Sequence, residues 1–260
     1  MIWALDFGGP GGEESFRPFA RRGLPGLELK RLRPPGLDGR PLPALDTDAF
    51  VEHYLGGADP AADRPRMIFG YCVGGVFALA LAERLRRLGS PVERVVLFDT
   101  VPARSEHVGY EFERTLRDLG WREDAPLGVD VPAERAAAVP VLVRDLDAGL
   151  VLLEAAVRRF VEAFLGARGA AGPVRDRLAG TLVARCGSWL RFVAASTVHR
   201  PLEFAAPVQC LVSAQLRERA EEYWAPLPVA VRSVDCSHSE LLASQECHDL
   251  LLETLAVPAS

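Results

Sequence analysis

The stretch Met67-Ile68-Phe69-Gly70-Tyr71-Cys72-Val73-Gly74-Gly75-Val76 decides the fold. An apolar run enters a glycine-punctuated turn, and a helical segment from Val73 to Leu88 follows and stops at Gly89. That order reads as a buried strand, a tight turn and a helix with a glycine cap. Gly70-x-Cys72-x-Gly74 has the spacing of a nucleophile elbow, with cysteine in the position of serine. A nucleophile on such a turn carries backbone strain, and residues without Cβ let the helix pass close beneath the strand. The thiol then projects at a helix N-terminus, whose partial positive charge favours thiolate. The plainer alternative is a glycine-rich turn with an inert cysteine; the coincidence of strand, glycines and helix argues against it.

Working outward, Pro65 to Phe69 and Val92 to Phe98 read as neighbouring strands, the second apolar except for Glu93 and Arg94. Such runs fit strands buried on both faces of a parallel sheet. Upstream, Ile2 to Phe7 is a short strand ending in Gly8-Gly9-Pro10-Gly11-Gly12, followed by a short helix from Ser15 to Arg22 and a strand from Leu27 to Leu32. Asp46 or Thr47 can cap a helix from Asp48 to Leu55. Downstream, the periodicity from Tyr110 to Val198 is almost wholly helical, clearest in Leu150 to Leu165 and Val174 to Ser196. Strand signals return at Val208 to Val212 and Val229 to Val234, and Glu240 to Leu255 closes as a helix. The expected class is α/β: a mostly parallel sheet flanked by helices, one domain over residues 1–260, with a helical insertion at about residues 103–203.

Composition narrows the class of function. The 260 residues are 49% hydrophobic and 25% charged, which fits a globular chain and excludes a disordered or fibrous one. The formal net charge of −5 argues against a nucleic-acid partner. The longest uninterrupted apolar run, Val76 to Ala82, is far too short to span a bilayer, and the opening residues lack a basic signal region. A cytoplasmic location without membrane contact is therefore expected. The cysteines Cys72, Cys186, Cys210, Cys236 and Cys247 show no paired spacing, so neither a disulfide framework nor a metal site is expected. No protein-bound cofactor is expected either, because the glycine turn lacks the lysine and length of a phosphate loop.

A thiol nucleophile needs a base, and the base needs an orienting acid. Asp99 directly follows the Val92 to Phe98 strand, which puts it at the carboxyl edge of the sheet, where open α/β folds bind ligands. His238 follows the last strand in Cys236-Ser237-His238-Ser239-Glu240 and reaches the same edge. A capping or surface role is the alternative for both. His53 and His248 fall within expected helices, and His107 and His199 in or beside the insertion, so they are weaker bases. The order Cys, Asp, His matches the nucleophile–acid–base order of α/β-hydrolases.

Gly-Tyr-Cys-Val-Gly-Gly, Phe-Asp-Thr-Val-Pro and Cys-Ser-His-Ser-Glu-Leu-Leu resemble the thioesterases that release chains from polyketide and peptide synthases. The likeness covers nearly the whole chain and implies an α/β-hydrolase fold with a helical lid. It gives Cys72, Asp99 and His238 the catalytic roles, and makes Gly8 to Ala20 the oxyanion loop and first helix. Pro10 stands where that family has a small residue, and proline has no N–H, so the first-loop oxyanion donor is either Gly9 or Gly11. The second donor is the N–H of Val73. Many editing thioesterases carry the acid after the next-to-last strand, but Val212-Ser213-Ala214-Gln215-Leu216 has none, leaving Asp99.

Cysteine in place of serine narrows the resemblance to stand-alone, thioesterase-like Dieckmann cyclases that make tetramate rings. These imply a β-ketoacyl-aminoacyl substrate delivered on the phosphopantetheine of an acyl or peptidyl carrier protein. Phe160, Phe164, Trp189 and Phe192 are candidate lid residues lining an apolar chamber; ordinary helix–helix core is the competing role. Arg21-Arg22, Arg31 with Arg33, and Arg84 with Arg86-Arg87 could guide an acidic carrier, or could simply be solvated. Two alternatives share these motifs: a cysteine thioesterase that hydrolyses or macrocyclises the chain, and a catalytically silent hydrolase fold.

Overall fold

The computed structural model describes residues 1–5, 16–24, 26–36, 45–124, 127–198 and 204–256. Among them one sheet has six strands: β1 (Ile2–Leu5), β2 (Leu29–Leu32), β3 (Met67–Tyr71), β4 (Arg94–Phe98), β5 (Val208–Ser213) and β6 (Val229–Val234). Their order is β2-β1-β3-β4-β5-β6, and every neighbouring pair is parallel. The chain moves from β1 out to the β2 edge, then returns across β1 to lay down β3. The strand order therefore reverses between β1 and β3, a switch point of the kind at whose carboxyl edge open α/β folds bind ligands. Cys72 leaves β3 beside it.

Side chains alternate between two cores, as the pleat requires. Trp3, Leu5, Ile68, Val95 and Leu97 face one core, shared with α2 (Thr47–Leu55) and α4 (Gly74–Arg87). Ile2, Ala4, Met67, Phe69, Val96 and Phe98 face the other, shared with α1 (Arg17–Arg22) and α10 (Gln245–Ala256). There Phe16, Phe19, Phe69 and Phe98 contact one another with ring centroids 5.4–6.5 Å apart. Asp46 settles the capping alternative: its Oδ1 accepts from Ala49 N–H at 2.7 Å. Gly89 closes α4 at φ +76°, a conformation costly for any residue with a Cβ.

Between β4 and β5 lie α5 (Ser105–Asp118), α6 (Val131–Arg144), α7 (Leu146–Ala167) and α8 (Gly172–Val198). The helical block thus begins at Ser105, ahead of the expected Tyr110. Phe192 of α8 stacks on Phe77 of α4, centroids 4.6 Å apart, and Phe77 stacks on Phe50 of α2 at 5.1 Å. No helix among the described residues is long and apolar enough to cross a membrane.

Two expectations need correction. The closing helix does not run from Glu240: a 3₁₀ turn spans His238–Ala243, and α10 starts at Gln245. Ser237 and Glu240 make a reciprocal cap that starts the turn, and extended Ser244 (ψ 136°) separates the two pieces. α9 (Arg217–Trp224), between β5 and β6, was not expected as a helix. A short α3 (Pro60–Asp63) also precedes β3.

Candidate active site

The turn after β3 is built by close approach. A Cβ on Gly70 would lie 2.4 Å from Gly75 Cα, so strand and helix meet where neither has a side chain. A Cβ on Gly75 would lie 2.0 Å from Thr100 Oγ1, so the same helix start also touches the turn after β4. Between these contacts Cys72 is held at φ +51°, a region that side chains with a Cβ seldom adopt. Its N–H donates to Phe98 O at 2.8 Å, which ties the elbow to the end of β4.

Asp99 follows Phe98 and is itself left-handed, at φ +48°. It is buried, and its two carboxylate oxygens are divided between two partners. Ser213 N–H donates to Oδ1 at 2.6 Å, and Oδ2 faces His238 Nδ1 at 2.8 Å. An acceptor-only carboxylate requires Nδ1 to carry hydrogen, which leaves Nε2 directed to the proton chemistry. The structure thus brings Cys72, Asp99 and His238 to one edge of the sheet.

Burial pulls the His238 imidazole down, but the hydrogen bond to Asp99, the hydrogen bond and charge of Cys72, and the charge of Asp99 raise it to about 10. A raised imidazole hydrogen-bonded to a thiol is the arrangement that a thiolate nucleophile would need. Four other cysteines are held above the ordinary thiol value. Burial pushes Cys186 up to about 11 and Cys210 and Cys247 up to about 12. Burial, followed by the charge of Asp99, pushes Cys236 to about 11. None of those four is a thiolate at neutral pH.

Several neighbours of the site carry no local sequence signal. Gln215 Oε1 accepts from His238 N–H at 3.4 Å, from the same post-β5 segment that lacks an acid. Tyr71 stacks on the His238 ring, and its hydroxyl lies 3.0 Å from Nε2. From α5, burial works against the Arg114 guanidinium, but the charge and hydrogen bond of Glu111, then the charge of Cys72, raise it above its ordinary value. Glu111 also accepts from Trp189 Nε1 at 3.1 Å. Only the contacts of the folded chain reveal these groups.

The remaining expected site residues fall as follows. Val73 is the N-cap of α4, at the helix end where geometry leaves N–H groups without a partner inside the helix. Gly9 and Gly11 lie outside the described residues, as does His199. Phe160 and Phe192 expose no surface and pack between helices, so core packing is their role. Phe164 is partly buried and stacks on Phe160, with the Arg168 guanidinium 4.3 Å from its ring centroid. Trp189 reaches the Glu111–Arg114 pair. Arg22 donates to the carbonyls of Ala243 and Ser244, Arg84 pairs with Glu52, and Arg86 and Arg87 pair with Glu83. Arg31 and Arg33 line a cavity of about 260 Å³ with Lys30 and Tyr54. Among the described residues no cluster of three or more His, Cys, Asp or Glu is placed to hold a metal ion.

A protein-family model described as a thioesterase domain matches residues 7–256. The chain belongs to the thioesterase family. No match is found among curated proteins. Solved structures share the fold at low identity. The holo form of AB3403, a four-domain nonribosomal peptide synthetase bound to AMP and glycine, is 18% identical with TM-score 0.60 over 99% of this chain. This chain spans only 20% of that synthetase's length. The NocB thioesterase domain, in covalent complex with a fluorophosphonate nocardicin G analogue, is 17% identical with TM-score 0.54, covering 98% of this chain and 94% of that one. The RedJ thioesterase of the prodiginine biosynthetic pathway in Streptomyces coelicolor is 17% identical with TM-score 0.50, covering 98% and 87%. With the parallel sheet and flanking helices, these place the thioesterase-family chain in an α/β-hydrolase-like fold.

Proposed function

We propose that this thioesterase-family protein off-loads a β-ketoacyl-aminoacyl chain from a carrier-protein thioester through a Cys72 acyl-enzyme, and closes it by Dieckmann condensation to a tetramate-type ring. Family membership supports thioesterase-type off-loading, and the fold neighbours include a nonribosomal peptide synthetase and a thioesterase of prodiginine biosynthesis. The observation that carries the finer reading is a cysteine at the elbow, hydrogen-bonded to the His238 side chain, whose Nδ1 lies 2.8 Å from the buried Asp99 carboxylate.

With cysteine the acyl-enzyme remains a thioester. Sulfur overlaps poorly with the carbonyl, so that carbon stays electrophilic toward a carbanion, and thiolate leaves readily. Hydrolysis gains little from the exchange; carbon–carbon closure gains both effects. In the first step Cys72 thiolate displaces the carrier thiolate, which takes the Nε2 proton of His238 and departs as a thiol. Neutral His238, oriented by Asp99, then removes a proton from the methylene between ketone and amide. The enolate attacks the acyl-enzyme carbonyl within the same chain, and collapse expels Cys72 thiolate beside a recharged His238. General-base action typically contributes about 10²–10⁴ in rate, and holding both reacting ends on one chain adds more. The helical insertion is the lid in this reading, and it would keep water from the acyl-enzyme.

A second reading, hydrolysis or macrocyclisation by a cysteine thioesterase, is favoured by the family model itself. A synthetic β-ketoacyl-aminoacyl thioester without hydroxyl or free amine separates the two. The expected product is one water lighter than the linear acid, shows the ultraviolet absorbance of an enolised dione, and is absent with Cys72→Ala. Linear acid alone, formed faster than background, would overturn cyclisation and leave a cysteine thioesterase. Equal turnover by Cys72→Ala would remove Cys72 from the mechanism.

A further inference from the structure

Tyr71 ends β3 and immediately precedes Cys72. Its ring lies nearly parallel to the His238 imidazole, with centroids 5.0 Å apart and planes 11° from parallel. Its hydroxyl oxygen is 3.0 Å from His238 Nε2 and also 3.0 Å from the backbone carbonyl oxygen of His238. These two contacts fix proton positions. A carbonyl only accepts, so the phenol O–H serves it, and the phenol oxygen must then meet Nε2 as an acceptor. That requires hydrogen on Nε2. The Asp99 carboxylate, 2.8 Å from Nδ1, requires hydrogen there as well. The doubly protonated imidazolium satisfies all three contacts together, with its Nε2–H shared between the phenol oxygen and Cys72, to which the His238 side chain is also hydrogen-bonded. With a neutral ring, either the phenol turns its O–H onto Nε2 and abandons the carbonyl, or the phenol oxygen faces the Nε2 lone pair with no hydrogen between them.

We propose that Tyr71 is a positioning residue that selects the charged form of the site: by accepting from Nε2–H it favours the His238 imidazolium–Cys72 thiolate pair over the neutral pair. The inference rests on reading Cys72 as the nucleophile and His238 as its base. Proton balance is simple. The Cys72 proton moves to Nε2, and the phenol proton stays on Tyr71 throughout, changing only its acceptor. Among the described residues, the other charged groups near the pair are Asp99 from the end of β4, Arg114 from α5, which feels the Cys72 charge, and Glu240 two residues along on the 3₁₀ turn, whose carboxylate is engaged by Ser237. Gln215 is a neutral acceptor to the His238 backbone N–H.

Alkylation of Cys72 by iodoacetamide, followed against pH by peptide mass spectrometry, tests this without any substrate. Tyr71→Phe keeps the stacked ring and removes only the oxygen. The midpoint of the alkylation profile should rise by about one pH unit, so that alkylation below the midpoint slows about tenfold while the high-pH plateau is unchanged. A profile superimposable on wild type would overturn the proposal; a purely structural role would change thermal unfolding and leave the midpoint in place. A second measurement needs no variant. With 3-fluorotyrosine at the tyrosine positions, the ¹⁹F resonance of residue 71 should titrate with the alkylation midpoint, and a flat resonance through that range would also overturn it. Because alkylation needs no thioester, failure of ring closure and failure of this proposal are read separately.

Discussion

Two non-glycine residues of the site, Cys72 and Asp99, sit at positive φ, +51° and +48°. Left-handed backbone at such residues persists only where the surroundings over-determine it. Here Cys72 N–H is fixed to Phe98 O, and Asp99 N–H to Leu211 O at 2.9 Å, so the sheet itself holds both turns. The electrostatic consequence is measurable. His238 is raised from 6.5 to about 10 after burial, Asp99 and Cys72 are combined, so its contribution to stability is fully present below about pH 6.5 and is lost as pH rises through about 10. An NMR titration of the His238 ring should therefore show a midpoint near 10 in wild type and a lower one in Cys72→Ala, which removes two of the four raising causes. A midpoint unmoved by Cys72→Ala would mean that Asp99 alone holds the proton. At this scale the sequence was informative where a reactive residue abuts a strand end: Cys72, Asp99 and His238 each follow a run of strand residues. It was silent on Ser213 N–H, Gln215, Tyr71 and Arg114. Their roles depend on which strand ends and helices lie side by side, and no local pattern encodes that.

The start of α4 is the element on which the site turns. Its Gly75 touches Gly70 on one side and Thr100 on the other, so one glycine sets the spacing between the Cys72 turn and the Asp99 turn. Gly75→Ala would put a methyl carbon 2.0 Å from Thr100 Oγ1, 2.5 Å from its Cγ2 and 2.7 Å from its Cβ. Because Thr100 is buried and cannot swing away, the turn behind Asp99 must move. The expected loss is about 1–3 kcal/mol of stability, as for other overpacked cores. Off-loading activity should fall further than stability does, since the Asp99–His238 contact depends on that turn. Thr100→Ala in the same background removes two of the three clashing atoms and should restore part of both. Chemical denaturation with initial rates would check this; full activity in Gly75→Ala would show that the two turns are not coupled. The legibility of elements followed burial. α4 buries an apolar stripe from Val76 to Leu85 and was plain in the sequence, whereas α9 reads Arg-Glu-Arg-Ala-Glu-Glu-Tyr-Trp and buries only Ala220 and Trp224. The 3₁₀ turn was hidden because its apolar residues Leu241 and Leu242 continue into the pattern of α10.

Across the whole molecule, the helical insertion and the sheet meet through aromatic rings. Phe192 of α8 lies on Phe77 of α4, and Phe50 of α2 lies 6.0 Å from Phe192, so the insertion rests on the helix that begins just after Cys72. That the insertion was helical could be read from its periodicity. Where it docks could not, because Phe192 in a helical pattern looks the same whether it lines a chamber or fills a seam. Full burial of Phe192 assigns it to the seam. Truncating it separates two roles the insertion could have. Phe192→Ala leaves a cavity between α8, α4 and α2, and substitutions of this kind cost about 3–5 kcal/mol. If the insertion also keeps water from the acyl-enzyme, loosening this seam should shift products of the β-ketoacyl-aminoacyl thioester from ring toward linear acid at a temperature where the variant is still folded. Phe160→Ala, buried within the insertion and away from α4, is the control: it should cost comparable stability with a smaller shift in product ratio. Equal product ratios in both variants and wild type would mean that ring closure outruns water without help from the insertion, and that its helices serve recognition of the chain or its carrier.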